Sequence, residues 1–126
     1  MQIRVYYEDT DVGGVVYHSN YLNFCERARS QLFFNEGRSP ILSGGHFVAK
    51  RIEADYIKSA KFGDLLEVKT SLIEIKNVSF RLLQEIFREN EKVFEMHIDL
   101  VYIDFAGKMA KIPQEEKEFL SQYSIS

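Results

Sequence analysis

The hydrophobic period of this chain switches from helical to extended after a single long helix, and that switch limits the fold more than any other feature. From about Ser19 the apolar residues take helical spacing, with Tyr21, Cys25, Ala28 and Leu32 four, three and four apart on one stripe. The helix is expected to run to about Glu36 and to stop at Gly37, a residue that accepts the left-handed conformation at a helix end. After the loop from Ser39-Pro40 to Gly45 the period falls to two and stays there. Strands are expected at 47–58, 65–76, 78–88 and 92–105, with a shorter one ahead of the helix at 2–8. In 65–76, Leu66, Val68, Thr70 and Leu72 share one face; in 92–105, Phe94, Met96, Ile98, Leu100 and Tyr102 do. Asp104-Phe105-Ala106-Gly107 reads as a hairpin turn into a last strand at 108–112, and Pro113 as the start of a short C-terminal helix.

This order gives an α+β chain, one domain over residues 1–126, with an antiparallel sheet against one long helix. A chain of this size buries roughly two-thirds of its unfolded surface, enough for one real core. A helix of about 18 residues spans near 27 Å and covers only one face of a sheet whose strands run ten residues or more. Long uncovered strands invite pairing across a two-fold axis, so at least a homodimer is expected.

Composition removes several classes of function. A net charge of −3, with Lys and Arg scattered along the chain, lacks the concentrated basic footprint that a nucleic-acid backbone requires. No apolar run approaches the roughly 20 residues of a membrane span, and the sequence MQIRVYYED has neither the apolar stretch nor the cleavage site of a signal peptide. With the single Cys25 unable to form an internal disulfide, these features lead us to expect a cytoplasmic protein.

Between the first strand and the helix lie an acidic run, a glycine pair and a histidine: Glu8, Asp9 and Asp11, Gly13-Gly14, and His18. The glycines permit a tight turn and a close approach of ligand to backbone. The first N–H groups of the helix that follows have no internal partner and carry the positive end of its dipole, so they suit a polarised carbonyl or an oxyanion. Asp11 would place a carboxylate near those donors, able either to activate water or to attack an acyl carbon. Taken singly, Glu8, Asp9 and Asp11 are equally explained as turn and pre-helix carboxylates, and Tyr7 and Tyr17 as packing aromatics. Only their joint spacing points to a site. A metal is not expected: a calcium-loop reading of Asp9 to Asn20 fails at Gly13 and Asn20, and His18, His46 and His97 are dispersed. Cys25, on the apolar stripe, reads as a packing residue.

The stretches Tyr6-Tyr7-Glu8-Asp9-Thr10-Asp11, Gly13-Gly14-Val15-Val16-Tyr17-His18, Asn20-Tyr21-Leu22 and Glu26-Arg27-Ala28-Arg29 closely resemble the YbgC-like acyl-CoA thioesterases, a group related to the 4-hydroxybenzoyl-CoA thioesterases. Weaker similarity continues through Tyr56 and Lys61-Phe62-Gly63-Asp64-Leu65-Leu66. The resemblance implies a hotdog fold, a curved antiparallel sheet around the long central helix. It also implies acyl-CoA hydrolysis without a cofactor, at sites on the subunit interface of a dimer or dimer of dimers. Asp11 would be the catalytic carboxylate and the His18 N–H the donor to the thioester carbonyl, with the Tyr7 and His18 side chains assisting. Gly14, Tyr17, Lys58 and Lys61 would contact substrate, the lysines meeting coenzyme A phosphates if they are not simply solvated. His18 favours the YbgC-like branch over the 4-hydroxybenzoyl branch, where an aromatic residue stands there. The match departs at Ser59, where many relatives carry proline. Two competing readings remain from the residues alone: a module that binds acyl-CoA or acyl carrier protein without turnover, and a hotdog dehydratase. The helix from Tyr21 to Glu36 lacks the His and acidic pattern that the hotdog dehydratases carry there.

Overall fold

The computed structural model describes residues 1–125. Five strands form one antiparallel sheet: β1 (Gln2–Arg4), β2 (Gly45–Tyr56), β3 (Leu65–Ile75), β4 (Ser79–Arg88) and β5 (Glu91–Asp104), in the order β1-β3-β4-β5-β2. The long helix α1 (Asn20–Asn35) precedes β2, and a short helix α2 (Gln114–Ser121) follows β5. This is the α+β hotdog arrangement that the resemblance implies.

The apolar stripe anticipated on the helix is buried: Tyr21, Cys25 and Ala28 are inside, and Phe24 joins them. It meets the inward faces of the strands, Leu66, Val68 and Leu72 from β3, Phe80, Leu82 and Ile86 from β4, and Phe94, Met96, Ile98, Leu100 and Tyr102 from β5. Register slips at Ala49/Arg51, Leu72/Glu74 and Ile86/Phe87 each interrupt a strand pair, and such bulges bend the sheet around the helix. Gly37 ends α1 as expected. Its φ of 70° places it in the left-handed region, while its N–H donates to Phe34 C=O and the Arg38 N–H to Phe33 C=O. Helix α2 then closes that end, with Phe119 against Phe33 and the Arg38 guanidinium over the Phe119 ring.

Three expectations are adjusted. The first strand covers only Gln2–Arg4, because the Asp9 carboxylate takes the Tyr6 N–H and folds Tyr7–Asp9 into a single 3₁₀ turn. The helix begins at Asn20, one residue past the expected Ser19, since His18 and Ser19 form the turn that leads into it. Residues 108–112 do not form a strand. The hairpin turn is built as read, with Asp104 Oδ1 accepting from the Ala106 and Lys108 N–H groups. After the bridge between Ile103 and Met109, however, the chain leaves the sheet, with the Ile112 N–H donating to Asn77 C=O and Pro113 offering no N–H at all.

The two sheet edges differ in kind. β1 is three residues long, whereas β2 is twelve, is paired along one side with β5, and among the described residues has no strand on the other. Val48, Ile52 and Tyr56 on β2, and Ile57 just beyond it, are exposed.

Candidate active site

The segment joining the 3₁₀ turn to α1 is held by its own backbone. Thr10 and Val16 form a bridge, as do Val15 and Lys61, and the Val16 N–H donates to Ala60 C=O. Asp9 is the fixing point. It is buried, its carboxylate caps the turn, and its carbonyl accepts from both the Tyr17 N–H and the Asn20 side-chain amide, each at 2.9 Å. Through Asn20 the loop is tied to the first residue of α1. The acidic run therefore divides: Asp9 is structural, Glu8 is exposed, and Asp11 is presented outward.

Asp11 stands at the mouth of the glycine turn. Its Oδ1 accepts from the Gly13 N–H at 2.8 Å and more weakly from the Val15 N–H at 3.4 Å. Its own backbone closes the turn, with N–H to Val15 C=O and C=O from the Gly14 N–H. Gly14 has φ +80°, a conformation that side chains strain, and a Cβ on Gly13 would come within 3.2 Å of Asp11 Oδ1. The glycine pair thus orients a carboxylate. One oxygen is anchored, and the other, Oδ2, makes no hydrogen bond among the described residues. A carboxylate fixed in this way is free to act through its second oxygen.

The entry to α1 supplies the complementary donor. Among the described residues the His18 N–H has no hydrogen-bond partner, while the His18 carbonyl accepts from the Tyr56 hydroxyl at 2.9 Å. That bond orients the peptide group, and burial beside Tyr21 raises the Tyr56 hydroxyl above its ordinary value, which keeps it a donor. Tyr21, Tyr56 and Phe94 pack ring against ring at 4.9 to 5.5 Å, and the Tyr21 hydroxyl accepts from the Ala60 N–H at 3.1 Å. At Ser59, where the resemblance leads one to expect proline, the Arg88 guanidinium holds the carbonyl at 2.8 Å. Reading the sequence did not find this bracing by Tyr56, Asn20 and Arg88, because each lies on a different element and carries no local pattern.

The other anticipated residues separate. Tyr7 is largely exposed and packs edge-on to Phe62 at 6.1 Å; Tyr17 lies 4.4 Å from the His18 ring. Gly14 serves the turn. Lys61 is joined to the site segment through its bridge with Val15, and its ammonium makes no ion pair among the described residues. Lys58 is instead engaged, 2.6 Å from Glu91. Cys25 is fully buried, and burial pushes its thiol up to about 12, which removes the thiolate a nucleophile needs. No cluster of three His, Cys, Asp or Glu able to hold a metal occurs among the described residues.

One cavity lies away from Asp11, toward the other end of the long helix. About 580 Å³ opens under the C-terminal half of α1, between Arg29, Ser30 and Phe33 and the inner faces of Phe47, Leu82 and Leu100. This volume suits a drug-sized apolar group. Within one chain, then, Asp11 and this cavity are apart.

Residues 13–95 match the family model described as the thioesterase superfamily, a span that begins two residues after Asp11. The chain is 49% identical to a Helicobacter pylori protein named acyl-CoA thioesterase YbgC, over 96% of this chain and 98% of that one. Among solved structures, a probable thioesterase from Bartonella henselae is 31% identical with a TM-score of 0.85, covering 90% of this chain and 97% of its own. A Thermus thermophilus thioesterase, solved with coenzyme A and zinc, is 25% identical with a TM-score of 0.83 over 95% of this chain and 94% of its own.

Proposed function

The chain belongs to the thioesterase superfamily, and from that premise we propose that it hydrolyses acyl-coenzyme A thioesters with Asp11 as the reacting carboxylate and the His18 N–H as the donor to the thioester carbonyl. The observation that carries the assignment is the half-anchored Asp11: one oxygen is bound by the glycine turn and the other is free, in the segment that leads to a helix entry whose N–H is unused among the described residues. As the acyl carbon becomes tetrahedral, negative charge develops on its oxygen. A backbone donor already aimed there, at the positive end of α1, stabilises that charge without reorganising.

Two routes use the same atoms. In one, Asp11 Oδ2 takes a proton from water, the hydroxide adds to the carbonyl carbon, and the C–S bond breaks to release the coenzyme A thiolate, which is protonated from the carboxyl group. In the other, Oδ2 adds directly and expels the thiolate. The resulting mixed anhydride is then cleaved by water. A single turnover in ¹⁸O-water tests the second route, since label in Asp11 arises only from an anhydride that water opens at the Asp11 carbonyl. The assignment itself is tested by thiol release from acyl-CoAs: native protein turns over and Asp11→Asn does not, whereas equal rates would remove Asp11 from the reaction.

The working unit in this reading is a dimer joined through β2. Its free edge is twelve residues long and shows Val48, Ile52 and Tyr56 to solvent. Antiparallel pairing of two copies about the middle of β2 sets the Gly45 end of one strand beside the Tyr56 end of the other. The cavity of one protomer, which His46, Phe47 and Ala49 line, then opens toward the partner's helix entry. That closes the gap between carboxylate and cavity. A charge at the edge, Ile52→Lys, gives a monomer by light scattering with little thioesterase activity; an active monomer would refute the shared site. Coenzyme A thioesters are metabolites of the cytoplasm, so the reading also assigns the protein to that compartment. Lys61, uncommitted beside the site loop, is the better phosphate contact of the two lysines.

A further inference from the structure

The cavity under α1 has apolar walls but a polar inner station that the hydrolysis of a plain acyl chain does not use. Gln84, on the inward face of β4 between Leu82 and Ile86, is fully buried. Its Nε2 donates to the Cys25 carbonyl at 2.8 Å and to Thr70 Oγ1 at 3.0 Å. With the amide nitrogen so committed, its oxygen faces Arg29, whose guanidinium donates to it at 3.3 Å. This is the one hydrogen bond of the Arg29 side chain among the described residues, and no carboxylate lies within ion-pair distance. A guanidinium carries five N–H groups. Thr70, having accepted from Gln84, retains its own O–H to donate. Arg29 and Thr70 both line the cavity.

A half-buried cation with most of its donors unused is costly unless an acceptor arrives. Burial lowers the Arg29 pKa, the direction expected of a guanidinium short of counter-charge. Glu26, one turn earlier, also borders the cavity, but its Oε1 accepts from the Ser30 hydroxyl and it stops short of pairing. The apolar walls beside the station, Phe47, Phe80, Leu82 and Leu100, suit a carbon chain. A forked guanidinium fits carboxylate and phosphate oxygens alike, and of the two a carboxylate is the group that the far end of an acyl chain carries.

Resting on the thioesterase reading above, we propose that Arg29 and Thr70 form a specificity site for the far end of the acyl group, and that the preferred substrates are coenzyme A thioesters of dicarboxylic acids. The free carboxylate accepts from Arg29 and Thr70 while the chain lies along the apolar walls and the thioester reaches Asp11 of the partner subunit. Gln84 is the positioning residue that aims the guanidinium.

The test compares adipoyl-CoA with hexanoyl-CoA, two six-carbon thioesters that differ in the terminal carboxylate. The native protein is expected to favour adipoyl-CoA in kcat/KM by about tenfold or more, the scale of a charge-assisted pair. Arg29→Met abolishes or reverses that ratio, the larger loss falling on adipoyl-CoA, Arg29→Lys keeps part of it, and Thr70→Val, which preserves shape, lowers it by a smaller factor. A ratio unchanged in Arg29→Met and Thr70→Val, at unchanged melting temperature, overturns the proposal, as does an equal loss on both substrates. If the native protein hydrolyses neither thioester, the thioesterase reading fails separately. Calorimetric binding of adipate against hexanoate then still decides the site: adipate binding lost in Arg29→Met supports it, and equal binding of the two acids by native protein overturns it.

Discussion

The two ends of α1 are built differently. At its N-terminal end, Tyr21, Phe24 and Phe94 fill the space between helix and sheet; Asn20 donates to the Asp9 carbonyl, Tyr56 to the His18 carbonyl, and the Tyr21 hydroxyl accepts from the Ala60 N–H. Under its C-terminal half the same helix leaves about 580 Å³ open, with Arg29 and Thr70 in the wall. One end is closed and fixes atoms; the other is open and admits them. Reaction geometry tolerates little displacement, and the proposed carboxylate and donor stand on the braced end. Selection among acyl groups needs volume, and that volume is kept away from the residues that set the geometry.

Breaking the fixed end should cost most. Asp11→Asn is expected to lower kcat by about 10³-fold, since a reacting group is removed, while the melting temperature holds because the side chain is exposed. A large drop in stability instead would make Asp11 part of the scaffold and erase the contrast. Phe94→Ala, by contrast, removes a fully buried ring from the stack with Tyr21, and denaturant titration should read a loss of roughly 3–5 kcal/mol. At the open end, Leu82→Phe fills space without touching the fixed one. Turnover of long acyl chains should fall about tenfold with short chains unaffected; a uniform fall would tie the cavity to the chemistry instead. Tyr56→Phe gives up the bond to the His18 carbonyl, worth about 1 kcal/mol, and should slow kcat several-fold with little change in KM.

The smallest effect concerns Cys25. Folding raises its thiol from 9.0 to about 12, so between those values the unfolded chain loses a proton that the folded one keeps. Stability therefore declines across that window as pH rises. Cys25→Ala should flatten part of the decline in pH-dependent melting, the remainder reflecting Tyr56 and Tyr123, whose hydroxyls are raised by burial too.

Much of the architecture was legible because it is periodic. The stripe of Tyr21, Cys25 and Ala28, the alternation through β3 and β5, and the Gly37 stop each need only neighbours three, four or two residues away. The strands at 2–8 and 108–112 misled for the same reason: local alternation was present, but the Asp9 carboxylate and the departure toward Asn77 overrode it. The glycine pair likewise announced the turn that holds Asp11. Nothing local, however, separated Asp9 from Asp11, because their roles depend on Tyr6, Asn20 and Val15 reaching one and leaving the other half free.

By itself, then, the sequence determined the element order, the faces that go inward and the presence of an acidic turn before a helix. These follow from side-chain period and backbone freedom, which are properties of neighbouring residues. Only the tertiary structure decided that Tyr56 orients the His18 peptide, that Arg88 holds the Ser59 carbonyl, and that Gln84 meets Arg29 at the cavity wall. Those pairs are 38, 29 and 55 residues apart, and a contact across such distances exists only once the sheet has curled around the helix.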